Sequence, residues 1–384
     1  MDASQRSFLD PWTILLSIAL TLYGMLLIYS GSLARLGDAG TVLREPITKQ
    51  TIFLGLGLVL MVICARLDYR GWRPFTPGLY AVMMLALIVV LAVGRSEYGS
   101  RRWIDLPGFQ FQPSEPAKLI TILLLARLMS ATGGALRLPG RTFLLTLALA
   151  GLPALLVFRQ PDLGTAIVFG TVWLGMVYIG GARRRHLTLL AGAGVVALPF
   201  VMLIAIHGYQ KDRLAIFFDP DRDPLGTGFN INQAAISIGS GGWFGKGLTQ
   251  GTQTQLDFLR TQTTDYIFSV LGEELGFAGA MVLFALFLLL LVRGLRIAMA
   301  SPDEFGRLVA TGIVIMILTQ VFINVGVNVR LFPVTGIPLP FISQGGSSLM
   351  TMFMAVGILQ SVHARRRAPG AAKAGERLEW ALQQ

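Results

Sequence analysis

Apolar residues run through this chain in long unbroken blocks rather than in alternation with polar ones. Ten blocks stand out, at 12–30, 51–65, 77–93, 114–130, 142–158, 164–180, 187–206, 266–292, 307–328 and 346–363. Each lies near the ~20 residues a helix needs to cross a bilayer. Lipid offers no partner for a backbone N–H or C=O, so a spanning segment is a helix or part of a closed barrel, and barrel strands alternate. The pattern therefore predicts an all-α polytopic integral membrane protein of about ten transmembrane helices. An even number of crossings puts both termini on one side. One stretch breaks the rule: 208–264, between the seventh and eighth blocks, is long, polar and glycine-rich. The expected layout is a single membrane domain over 1–363 with that large loop, then a polar Ala-, Gly- and Arg-rich tail at 364–384.

Composition agrees. Hydrophobic residues make up 53% of the 384 and charged residues 14%, against about 25% charged in soluble domains. The net charge of +11 would suggest a nucleic-acid partner in a soluble protein. Here the bases sit between apolar blocks, so topology explains them and no nucleic acid is expected. The side of the termini carries 18 Lys and Arg against 13 on the other, with Lys118 of the fourth block counted to neither. That bias predicts cytoplasmic termini and an outward-facing 208–264 loop. The single cysteine, Cys64, excludes an internal disulfide and a thiolate metal cluster. Trp12–Ser30 reads as a first span that stays, rather than as a cleaved signal.

Ionisable and amide groups inside such blocks are expensive and usually paired or functional. Glu115 and Lys118, in FQPSEPAKL, share a helical face; they read either as a structural ion pair or as part of an anionic headgroup site. Gln112 or Ser114 is the expected cap of that helix. Arg101 and Arg102, just before it, fit phosphate geometry, or else form a solvated loop or lipid-headgroup anchor. Asp162, in RQPDLG, reads first as the cap of the sixth helix and only then as a catalytic group. Gln320, Asn324 and Asn328 form an i, i+4, i+8 stripe, a usual glue between membrane helices. Arg330 and the segment LFPVTGIPLPFISQGGSS follow, whose prolines and glycines exclude a regular helix. Such backbone at membrane depth is buried in protein or lines a watery cavity, and this segment, Ser343 included, is the expected floor of a site.

The long loop opens on Lys211, Asp212 and Arg213 and the acidic FFDPDRDP, which lacks the spacing of a calcium loop. Ile231, Ala234, Ala235 and Ile238 predict a short helix lying on the bilayer surface. Gly239–Gly247 with Lys246 is flexible enough to approach a phosphate, although the order of a P-loop is absent. The loop ends on TQTTDYIFSVLGEELG, which brings Asp265 to the start of the eighth span. Thr264 or Asp265 is the expected N-cap there. Glu273 and Glu274 follow two turns on and need partners.

Together these stretches resemble the SEDS family of cell-wall polymerases, to which RodA and FtsW belong. The resemblance rests on GSRRWI, FQPSEPAKL, QPDLGTA, the RLAIFFDPDRDPLGTGFNINQAAISIGSGGWFGKG loop, TTDYIFSVLGEELG and FPVTGIPLPFISQGGSS, in family order over most of 95–350. GTQTQLDFL is closer to the RodA, elongation, branch. Where the family often has Leu-Pro-Glu and a His before Thr-Asp, this chain has Leu259-Arg-Thr-Gln-Thr263. The resemblance implies a multi-pass protein of the bacterial plasma (inner) membrane that polymerises lipid II into peptidoglycan glycan strands for elongation and rod shape. It also implies a class B penicillin-binding protein as transpeptidase partner, and places the family's essential aspartate at Asp265. Inverting transfer from a lipid-linked glycan pyrophosphate to the 4-hydroxyl of lipid II then needs Asp265 as general base. It also needs cations for the leaving group, with Arg101, Arg102, Lys118, Lys246, Arg213 and Arg330 as candidates. Asp162, Thr264, Glu273, Asn324, Asn328 and Ser343 are the expected supporting residues. A divalent cation, Mg or Mn, would serve as a Lewis acid, but no ligand set in the sequence defines one. A lipid II flippase and a non-catalytic scaffold for the penicillin-binding protein are the alternative readings.

Overall fold

The computed structural model describes residues 9–33, 44–97, 100–106, 109–132, 138–200, 209–223, 226–256, 258–259 and 261–366. Among them are thirteen α-helices: α1 Pro11–Leu33, α2 Arg44–Arg66, α3 Thr76–Val93, α4 Ser114–Ser130, α5 Gly140–Arg159, α6 Leu163–Ile179, α7 Arg184–Phe200, α8 Tyr209–Phe218, α9 Thr227–Ser240, α10 Thr252–Gln255, α11 Ile267–Met299, α12 Glu304–Asn328 and α13 Gly346–Ala364. Each of the ten apolar blocks, over its described residues, overlaps one of these helices. Seven segments are long and apolar enough to cross a membrane, and α6 is a shorter apolar helix. The tail from 367 onward and the end of the seventh block lie outside the described residues.

Helix α12 is the axis of the molecule. It packs against α11, α6 and α4, while α13 lies along α2. Their apolar windows are 72% and 78% buried, against 22% for α2 and 28% for α5. The outer helices turn Leu56, Val59, Leu85, Leu144 and Leu288 outward, an apolar surface far larger than a water-soluble monomer exposes.

The helix interiors obey the rule that lipid-buried backbone must be satisfied. Pro153 lies inside α5, where it has no N–H for the carbonyl of Leu149. Tyr80 of α3 fills the vacancy, its hydroxyl donating to that carbonyl at 2.7 Å.

Four expectations need correction. The chain is not helical throughout: β1 Arg95–Glu97, β2 Ser100–Leu106 and β3 Phe109–Phe111 form an antiparallel sheet of order β1-β2-β3 between α3 and α4. Strands this short leave no periodic signal. The cap of α4 is Pro113, without a side-chain hydrogen bond, and Ser114 Oγ has no hydrogen-bond partner among the described residues. The eighth span begins after Tyr266, which caps it without a side-chain bond, and is broken at Gly276 (φ 64°, ψ −159°). The stripe of α9 does not face the bilayer: Ile231 and Ala234 are buried and the helix packs on α11.

Candidate active site

The turn 261–266 that precedes α11 is wound on a single acceptor, the Thr261 carbonyl, which receives the N–H groups of Thr264, Asp265 and Tyr266 at 3.1, 3.1 and 3.3 Å. Three successive carbonyls of the turn are then taken by two segments, the 343–344 stretch and α12. Thr263 O accepts from Gln344 N at 2.9 Å, and Thr264 O accepts from Ser343 Oγ at 2.6 Å. Asp265 O accepts from Asn324 Nδ2 at 3.2 Å and Asn328 Nδ2 at 2.9 Å. Asn328 turns its other end to α11, accepting from Ser269 N at 3.2 Å and Ser269 Oγ at 2.7 Å. Asn324 and Asn328 of the α12 stripe are thus the mount of Asp265, and the 333–345 segment is its floor. Gln262, fully buried, reaches α1 by donating to Gly31 O at 2.6 Å.

With its backbone held this way, the half-buried Asp265 carboxylate faces Arg102 from β2 and Arg213 from α8. Gly336 marks their meeting point. A Cβ built on it would lie 3.1 Å from Arg102 Nη1, 3.8 Å from Asp265 Oδ2 and 4.0 Å from Arg213 Nη1. Its φ of +71° is one that side-chain-bearing residues rarely adopt. Both arginines are anchored. Arg213 Nη1 donates to Val334 O at 2.9 Å. Arg102, 5% exposed, donates to Gln160 O at 3.4 Å and to Pro161 O, and its Nη1 stands 3.6 Å from Asp162 Oδ2. Asp162 also caps α6, accepting from Thr165 N at 3.0 Å. It is therefore both the expected cap and a counter-charge within the site. Burial pushes the Asp265 carboxyl above the usual carboxylate value; Arg213 and then Arg102 oppose the rise, and Asp162 adds to it.

The structure thus brings together Arg102, Asp162, Arg213, Thr264, Asp265, Asn324, Asn328 and Ser343. The remaining candidates are engaged with other partners. Glu115 and Lys118, both buried, pair with each other at 2.8 Å within α4. Lys246 pairs with Glu273 at 2.7 Å, and Arg330 donates to Asn232 of α9. The Gly239–Gly247 segment is spent on α11 rather than held open for a phosphate: Gly241 and Gly245 stand against the carbonyls of Gly272 and Glu274. Neither Thr264 nor Asp265 caps α11. The side chains of Arg101 and Asp212 lie outside the described residues. Among the described residues no group of three or more His, Cys, Asp or Glu side chains is placed to hold a metal, so Mg or Mn would find no protein cage there.

Sequence reasoning missed Gln160 and Gly336. Gln160 lends its carbonyl to Arg102 and anchors the turn by donating from Nε2 to Leu87 O at 3.0 Å. The signals were present, in the buried-amide motif RQPD and in the lone glycine of VTGIP.

The arrangement is a carboxylate with raised proton affinity beside two anchored guanidinium groups, against the irregular backbone of 333–345. It suits taking a proton from a neutral hydroxyl while negative charge collects on a phosphate nearby.

The sequence model of the FtsW/RodA/SpoVE cell cycle protein family matches residues 11–368. The chain is 38% identical over 364 residues to peptidoglycan glycosyltransferase MrdB of Escherichia coli (strain K12), covering 94% of each. It is 38% identical over 360 residues to stage V sporulation protein E of Bacillus subtilis (strain 168), covering 92% of this chain and 96% of that one. Among solved structures it resembles a chain of a peptidoglycan synthase complex that coordinates polymerization and crosslinking (TM-score 0.75, 32% identity, 92% and 97% covered). It also resembles the rod shape determining protein RodA of Thermus thermophilus (TM-score 0.68, 30% identity, 94% and 98% covered).

Proposed function

The chain belongs to the FtsW/RodA/SpoVE family, and from that premise we propose that Asp265 is the catalytic base of a membrane-embedded peptidoglycan glycosyltransferase. The activity is that of its named relatives and the multi-pass character is written in its apolar helices. The observation that carries the assignment of roles is the placing of Asp265 beneath Arg102 and Arg213 around Gly336.

The acceptor is lipid II and the donor a growing glycan on a lipid pyrophosphate. Asp265 takes the proton of the acceptor 4-hydroxyl as that oxygen attacks the anomeric carbon of the donor. The new glycosidic bond forms as the bond from that carbon to the pyrophosphate oxygen breaks, and the electron pair leaves with the pyrophosphate. A single displacement of this kind inverts the α-linked donor into a β-linked product. Arg102 and Arg213 stabilise the charge that develops on the leaving group, and being anchored already they need little reorganisation to do so. Asn324, Asn328 and Ser343 hold the turn at constant height, which a base working within ~2.6–3.2 Å of a hydroxyl requires.

The ten helical blocks are ten spans forming one membrane domain over 1–363, with cytoplasmic termini and tail and with 208–264 on the outer face of the bacterial plasma membrane. A class B penicillin-binding protein supplies crosslinking, in keeping with the synthase complex that the fold resembles. Elongation is the favoured setting, by the likeness to MrdB and RodA.

The experiment is Asp265→Asn in purified protein given lipid II and its partner. Glycan polymer is expected to fall by about 10²–10⁴-fold, the usual worth of a general base, with fold and lipid II binding kept. Polymer at the normal rate would sink the assignment.

A further inference from the structure

Helix α11 is two helices stacked end to end, with Gly276 between a short outer piece, 267–275, and the rest. Such a break strands backbone groups that lipid cannot satisfy. Here the 242–247 segment satisfies them. Lys246 N and Gly247 N donate to Glu273 O and Glu274 O at 2.9 and 3.0 Å, while Phe277 N and Ala278 N donate to Gly242 O and Trp243 O, both at 2.9 Å. At Gly245 (φ +77°) a Cβ would come within 2.1 Å of Glu274 O.

The Glu273 side chain completes the joint. It is fully buried and gathers five donors from one stretch of chain. Oε1 accepts from Lys246 Nζ at 2.7 Å, Gln253 N at 2.9 Å and Thr252 Oγ1 at 3.2 Å. Oε2 accepts from Thr254 Oγ1 at 2.9 Å and Thr254 N at 3.0 Å. Lys246 Nζ is itself braced by donating to Thr252 Oγ1 at 2.8 Å. A carboxylate buried at this depth with so full a set of donors defines one geometry, since losing any donor leaves charge uncompensated.

We propose that Glu273 is a positioning residue for Asp265. It clamps the far end of the 267–275 piece to the 246–254 segment, and so sets the height and rotation of the turn that carries the carboxylate. The glycine joint interrupts the helical hydrogen bonding between this piece and the long inner part of α11, so the ties at its two ends add to its packing in setting its orientation. The near end is held by Asn328 through Ser269. The far end is held by Glu273, with Glu274 accepting from Ser30 of α1 beside it. The inference rests on Asp265 being the base.

The test uses the full-length protein and its partner with lipid II, comparing Glu273→Gln, Lys246→Met and Lys246→Arg. In Glu273→Gln, kcat is expected to fall on the order of 100-fold, as a displacement of about 1 Å at a reacting group does, with KM for lipid II unchanged. Amide exchange is expected to speed up across 261–271 as well as across 246–256. Lys246→Met shows a smaller loss of the same kind, and Lys246→Arg restores it. Faster exchange confined to 246–256 with kcat unchanged overturns the proposal. If Glu273→Gln does not fold, Lys246→Met decides, and a normal kcat in that variant overturns the proposal as well. Asp265→Asn assayed alongside reports on the base separately, because the exchange result does not depend on the chemistry.

Discussion

At Asp265 the backbone and the side chain do different jobs. The carbonyl is bonded by Asn324 and Asn328, so Asp265→Asn leaves the backbone ties of the turn in place while it removes the carboxylate. The carboxyl titrates above the usual 3.8 because burial outweighs the pull of Arg213 and Arg102. A base works in its ionised form, so activity should fall as pH drops through this raised value. The acidic limb of the kcat–pH profile is therefore expected above the range of an ordinary aspartate, and Arg213→Met should move it further up by removing the stronger of the two opposing charges. A limb at or below the ordinary value, or one that Arg213→Met leaves in place, speaks against Asp265 as the titrating group. The sequence singled out this residue through the family resemblance; by its pattern alone, an acid in a polar stretch at the start of an apolar block, it read as an N-cap just as well. Its neighbours were not singled out: Arg101, Lys118, Lys246 and Arg330 looked as eligible as Arg102 and Arg213, since a guanidinium or ammonium carries no mark of where its partner lies.

At the level of elements, what distinguishes these helices is how their interruptions are repaired. Pro153 in α5 is repaired by a tyrosine from α3, and Gly276 in α11 by the 242–247 segment. The first repair gives a clean test. Tyr80→Phe keeps the ring in place among Met84, Leu87 and Phe169 of the same cluster but leaves the Leu149 carbonyl without its donor. That should cost about 1–3 kcal/mol, read as a lowered unfolding temperature in detergent with glycan synthesis per folded molecule unchanged. An unaltered transition would mean that the carbonyl is satisfied in another way. Helix positions were predictable because an apolar block is a local property. The breaks were not placed in advance, because a glycine or proline inside such a block becomes tolerable only when a distant segment supplies the lost hydrogen bonds. The same reasoning explains the overlooked β-meander, whose strands are held by pairing rather than by any hydrophobic period of their own.

Across the whole molecule, the end of α12 opposite the site is closed by polar ties. Asp10 pairs with Arg293 of α11 and exchanges hydrogen bonds with Gln360 of α13. Arg365 reaches Asp68 at 3.0 Å. Asp303 caps α12 by accepting from Gly306 N at 2.8 Å, and also accepts from Arg70 Nε at 2.9 Å and from the Tyr69 hydroxyl. Burial raises the Asp303 carboxyl, but the hydrogen bonds from Tyr69, Gly306 and Arg70 together outweigh it and hold the group below its ordinary 3.8. Its folded-state value is therefore the lower one, so the stabilisation is fully present above about 3.8 and fades as pH falls through the depressed value. Asp303→Asn should lower thermal stability at neutral pH, and its gap from the parent should close on acidification; a gap that stays constant with pH would show that this charge does not matter. The amino-acid sequence by itself determined the membrane class and the position of nearly every long helix, because burial in lipid and helix formation are decided by contiguous residues; it pointed to the carboxylate at Asp265 through the family resemblance. Only the tertiary structure decided which arginines meet that carboxylate, that Asp162 is cap and counter-charge at once, and that Lys246 belongs to Glu273. Those pairings join residues far apart in the chain, and packing around α12, not spacing, sets the distance between them.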